Sequence, residues 1–92
     1  MRFKMWAEQL KAARSIAGLE QAQLAEISGV SLASIKRFES MSGPIDARTS
    51  TVAKLRVALE NAGVIFIEEN GAGPGVRLKK RQNLTEAVDL GR

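Results

Sequence analysis

Lys36 and Arg37 stand side by side in "SLASIKRFES", residues 31–40, and theirs are the side chains whose types and spacing bear most directly on chemistry. On a helix turning ~100° per residue, Ile35 and Phe38 share one side, with Ser31 and Glu39 flanking them. Ala33, Arg37 and Ser40 fall on the opposite side, with Lys36 beside them and Leu32 at the leading turn. A face with small residues and two cations is narrow enough and suitably charged for a DNA major groove, so its chemistry is recognition of phosphates and base edges. Bond-breaking chemistry has little to draw on. The chain has no His and no Cys, which removes the usual general base, the commonest transition-metal ligand and any thiolate site. No carboxylate pair converges on one face. The expectation is no enzyme, no catalytic residue, no metal and no cofactor.

The bulk numbers point the same way. Fourteen Lys and Arg against ten acids leave a net charge of +4, which favours a polyanionic partner. Ninety-two residues suit one domain. No run approaches the ~18 apolar residues of a membrane span, and "MRFKMWAEQL" has no apolar core or cleavage site of a signal peptide. A cytoplasmic protein with no membrane partner is expected, and the absence of Cys suits a reducing compartment.

The elements that must position Lys36 and Arg37 follow from periodicity. Trp6, Leu10, Ala13 and Ala17 recur at helical spacing, predicting a first helix over residues 5–17 that Gly18 ends. Residues 20–27 read as a second, with Leu24 and Ala25 inward, and Gly29 supplies a permissive turn. Ser31 caps a third helix ending near Met41. "MSGPIDARTS" is a loop by composition, and Thr49 or Ser50 caps a fourth helix with Val52, Leu55, Leu59 and Ala62 as its apolar stripe. After Gly63 the period changes. "VIFIEE", a turn cluster "NGAGPG" and "VRLKK" predict a β-hairpin. "QNLTEAVDLGR" has no anchor and is expected to be a flexible tail over residues 82–92.

Two helices too short to stand alone, joined by Gly29-Val30-Ser31, make sense if one braces the other against an outside surface. Gln21, Leu24-Ala25, Gly29-Val30-Ser31, Ile35, Arg37 and Glu39, preceded by Leu10, Ala13 and Arg14, resemble the helix-turn-helix of the phage-repressor and Cro-like regulators, often called the Xre family. The resemblance covers roughly residues 8–62. It implies a mainly α fold, a lambda-repressor-like bundle of four to five helices, here followed by the hairpin. Leu24, Ala25, Val30, Ile35 and Phe38 are then core, and Arg14 pairs with Glu39, with Arg14 on a phosphate as the alternative. It also implies that Gln21 meets a DNA phosphate at the start of the second helix, and that Leu32, Ala33 and Arg37 face the groove. Ser31, Ser34, Lys36 and Ser40 complete the DNA-binding set, as backbone or flanking contacts. Two positions depart from the family pattern: Glu20, where Thr or Ser is commoner, and Leu32, where a polar residue is commoner. Leucine can touch a thymine methyl but cannot hydrogen-bond a base, so direct readout falls heavily on Arg37.

In the hairpin, Val64 and Phe66 point to one face and Ile65 and Ile67 to the other, so the strand wants cover on both sides. The helices can supply one. A second copy of the chain is the simplest source of the other, giving a homodimer with Val64, Ile65, Phe66 and Ile67 at or near the interface. The alternative is an intramolecular hairpin closing one domain. The organisation is thus residues 1–63 for DNA binding, 64–81 for the hairpin and 82–92 for the tail. Arg77, Lys79, Lys80 and Arg81 suit a solvated strand edge that blocks aggregation, with a phosphate-contacting tail or an acidic protein partner as alternatives.

The function expected is a sequence-specific, double-stranded DNA-binding transcriptional regulator, a repressor acting as a dimer on a palindromic operator. An antitoxin that also holds a toxin is a close alternative. A protein-binding anti-activator that kept the fold without binding DNA is another.

Overall fold

The structure is a computed structural model and describes residues 3–79. It is mainly helical: α1 (Ala7–Ile16), α2 (Gln21–Ser28), α3 (Leu32–Glu39) and α4 (Thr49–Asn61) are followed by an antiparallel pair, β1 (Val64–Ile67) and β2 (Gly75–Leu78). Among the described residues no helix is long and apolar enough to cross a membrane. The expected tail over 82–92, and Lys80 and Arg81 of the basic cluster, lie outside the described residues.

Helix α1 begins later than its periodicity suggests. Trp6 is extended (ψ 146°), its backbone bridges Pro44, and its N–H donates to Gln9 Oε1 at 3.0 Å. Met5 takes the buried place expected of Trp6, which is only half-buried. The Gln9 side chain satisfies an N–H that helix geometry would otherwise leave without a partner. Helix α2 is capped in the same way, with Gln23 Oε1 accepting the Glu20 N–H at 2.8 Å. Gly29 ends it at φ +77°, ψ 10°, and nothing stands within 4 Å of where a Cβ would be. A side chain there would cost about 1–2 kcal/mol through backbone conformation alone. Ser31 caps α3, its Oγ accepting the Ser34 N–H at 3.1 Å, and the helix stops at Glu39, short of Met41. Helix α4 starts after Arg48, without a side-chain cap from Thr49 or Ser50, and its stripe is Val52, Leu55, Ala58 and Leu59. Ala62 is instead the half-buried residue at its C-terminus.

Leu10, Leu24, Ile35, Leu55 and Leu59 are fully buried and meet in one core, which also takes in Met5, Phe38, Val64 and Phe66. The hairpin therefore shares the helices' core. Its register pairs Val64 with Leu78, Ile65 with Arg77, Phe66 with Val76 and Ile67 with Gly75. Gln9, 3% exposed, pins it to α1 by donating from Nε2 to Ile67 O at 3.0 Å and Gly75 O at 3.1 Å. The Phe3 ring meets Phe66 edge-on with centroids 5.5 Å apart, and the Arg56 guanidinium lies 4.0 Å over Phe3 while its Nε bonds Glu60.

Candidate nucleic-acid interface

Helix α3 is held from behind by two kinds of contact. Ile35 and Phe38 anchor its apolar side. At its far end Glu39, buried, accepts from Arg14 in a two-pronged ion pair, Nε to Oε2 at 2.7 Å and Nη2 to Oε1 at 2.9 Å. Arg14 Nη1 also donates to Leu19 O at 2.9 Å, tying the α1–α2 junction to the same cluster. The Glu39 hydrogen bond raises the Arg14 pKa above its ordinary value, against the lowering effect of burial. The expected pairing of these two residues is present.

With its rear fixed, α3 turns Ala33, Lys36, Arg37 and Ser40 outward, all exposed among the described residues. Leu32 and Ser34 are half-buried, at the rim of this face. Ser31 is exposed but already engaged: its Oγ accepts from Ser34 N and donates to Ser34 Oγ at 2.8 Å. Ser40 Oγ donates back to Arg37 O at 2.7 Å. Gln21 opens α2 as expected, but its amide Nε2 donates to Glu39 Oε1 at 3.1 Å. That bond ties the side chain to the Arg14–Glu39 cluster and leaves the backbone N–H groups of the first turn as its means of meeting an anion.

Three further residues join this face that the sequence did not single out. A cleft of about 340 Å³ runs between the start of α3 and the start of α4, lined by Ser34, Arg37, Asp46, Arg48, Thr51 and Lys54 among others. Arg37 borders it with its guanidinium 4.7 Å over the Phe38 ring. Arg48, Thr51 and Lys54 thus bring two more cations and a hydroxyl alongside Arg37, opposed by Asp46 alone among the acids of the cleft. The uncapped first turn of α4 adds N–H groups and the positive end of a helix dipole on the same side. The available signal was "ARTST", a cation followed by hydroxyls at a helix start, but only the loop's path brings it beside α3.

A second hollow, of about 740 Å³, lies on the other side of α3 against α1 and includes Glu8, Lys11, Glu39, Ser40 and Ser42. Its carboxylates have internal partners: Glu39 binds Arg14, and Glu8 accepts the Gly43 N–H at 3.2 Å. Lys11 and Arg14 in this hollow are matched in number by Glu8 and Glu39, whereas Arg37, Arg48 and Lys54 in the cleft face Asp46, so the net positive charge beside α3 is concentrated toward α4.

The four hairpin residues expected at a dimer interface divide. Val64 and Phe66 are 2% and 8% exposed in the chain's own core, so their side chains are unavailable to a partner. Ile65 is 38% exposed and Ile67 is half-buried. Arg77, paired with Ile65, is exposed, and Leu78 at the end of β2 is 46% exposed. No protein-family model matches the chain, and no curated protein does.

Proposed function

We propose that the protein is a sequence-specific, double-stranded DNA-binding transcriptional regulator in which α2, the Gly29 turn and α3 act as a helix-turn-helix of the phage-repressor type. The observation that carries this is the outward face of α3: Ala33, Lys36, Arg37 and Ser40 are exposed together while Ile35 and Phe38 hold the helix from the opposite side. A small residue beside two cations can enter a major groove, where Arg37 finds its best partner in guanine O6 and N7. Arg48 and Lys54 flank the groove and neutralise phosphates, which sets position rather than sequence. The regulator is a repressor that occupies a promoter as a homodimer, with two recognition helices about one DNA turn apart on a palindromic site. Ile65 and Ile67 are the apolar side chains the hairpin offers a second copy.

Two features favour a different use of the same scaffold. The Gln21 amide is tied to Glu39, and Leu32 at the head of α3 cannot hydrogen-bond a base, which suits a protein-binding anti-activator. Binding of the purified protein to the DNA upstream of its own gene separates the two. A footprint with two-fold symmetry, weakening as salt rises, supports the regulator. Salt-independent indifference to DNA rejects it.

A further inference from the structure

Asn70 and Gly71 lie exposed in the turn between β1 and β2, outside the strand pairing and the core. Their surroundings resemble a small acyl-transfer site. The Gly71 N–H donates to Glu69 Oε2 at 2.8 Å, so a carboxylate rests on the hydrogen of a main-chain nitrogen. The Ala72 N–H donates to Asn70 Oδ1 at 3.3 Å, so a donor rests on the oxygen of the neighbouring carboxamide. Gly71 sits at φ +102° with no side chain of its own and nothing within 4 Å of where one would be. A base on the nucleophile and a donor on the electrophile's oxygen are the two aids that acyl transfer uses. Here nucleophile and electrophile are also joined through the chain, which removes the entropy of encounter.

We propose that Asn70-Gly71 is a self-modification site, at which Asn70 loses its side-chain amide through attack by the Gly71 nitrogen. The bond from Gly71 N to Asn70 Cγ forms as the nitrogen's proton passes to Glu69. The Cγ–Nδ2 bond breaks, and Nδ2 takes that proton back and leaves as ammonia. The product is a five-membered cyclic imide. Water then adds to one of its two carbonyls. Opening at Cγ leaves an aspartate at position 70, and opening at the main-chain carbonyl leaves an isoaspartyl link running through the former side chain. The sum is amide plus water giving acid plus ammonia, with no oxidant or reductant. The outcome is a new carboxylate beside Glu68 and Glu69 and, in the isoaspartyl form, a longer main chain in the turn that sets the hairpin's register.

Asn61 provides the internal comparison. The nitrogen that would attack its side chain, that of Ala62, is held in the closing bonds of α4, donating to Ala58 O at 3.1 Å. The test is incubation of the full chain at neutral pH, followed by peptide mapping for amide-to-acid conversion and for labelling by an isoaspartyl methyltransferase. Asn70 is expected to convert at least about tenfold faster than Asn61, and Glu69→Gln to slow it roughly tenfold while hairpin amide exchange is unchanged. Asn70→Gln is expected to abolish labelling of the turn peptide. Conversion of Asn70 no faster than that of Asn61 overturns the proposal, and an unchanged rate in Glu69→Gln removes Glu69 as the base.

Discussion

Helix α3 and strand β1 are both short, and each presents one face to the same core, yet their outward faces differ in kind. Behind α3, Ile35, Phe38 and the Arg14–Glu39 pair are fully engaged, and what remains outside is polar or small: Ala33, Lys36, Arg37, Ser40. Behind β1, Val64 and Phe66 are equally engaged, but what remains outside is Ile65 and Ile67. The α3 face holds charge that meets no carboxylate within hydrogen-bond reach among the described residues, Arg37 resting instead over the Phe38 ring, while the β1 face holds apolar surface without full internal cover. A surface of the first kind suits a hydrated, charged ligand. One of the second kind suits another apolar surface. The proposed division of labour, with DNA at α3 and a second copy at the hairpin, rests on that difference.

The contrast breaks most visibly through residues that sit behind these faces. Phe66→Ala removes an aromatic ring from the shared core and is expected to lower stability by about 3–5 kcal/mol in chemical denaturation. Arg14→Ala leaves the buried Glu39 carboxylate without its counter-charge, with the Gln21 amide as its remaining side-chain donor, and is expected to cost about 3 kcal/mol, with the loss of DNA affinity following the loss of fold. Arg37→Ala, by contrast, is expected to leave the thermal midpoint nearly unchanged while weakening operator binding by about 1–3 kcal/mol and relaxing one base position. A stability loss in Arg37→Ala comparable with that of Arg14→Ala erases the distinction between the front and back of α3. Lys54→Ala should weaken binding uniformly across sequences and lower the salt slope by about one. Ile65→Lys, which sets a second cation opposite Arg77, should cost about 1 kcal/mol of stability yet shift the sedimenting species toward monomer; a dimer that persists moves the interface elsewhere.

Much of this contrast was legible in the amino-acid order, because it is local. Helical periodicity separates Ile35 and Phe38 from Arg37 and Ser40, and strand alternation separates Val64 and Phe66 from Ile65 and Ile67. The Ser31 cap and the Gly29 and Gly63 stops follow from residue type alone. What escaped depends on chain paths between distant segments. Gln9 reads as a polar residue on the Ala13 side of α1, and only the return of the hairpin gives its amide two carbonyls to bind. Trp6 has the size of a core anchor, but the loop carrying Pro44 meets its backbone and Met5 fills the core instead. Arg48, Thr51 and Lys54 are separated from Arg37 by a loop whose fold places them at the same cleft. Which face of β1 the helices would cover was likewise undecided by alternation, and the burial of Val64 and Phe66 settles it.

The most direct measurement is a salt titration of binding to the DNA upstream of the protein's own gene, with the native chain beside the Lys36→Ala, Arg37→Ala double variant. The expected result is a linear fall of log affinity with log salt for the native chain and, for the variant, a slope shallower by roughly one from the loss of Lys36 together with a further affinity loss of about 1–3 kcal/mol from Arg37, with both proteins folded. Equal affinities and equal slopes for the two proteins contradict the assignment of the α3 face to DNA.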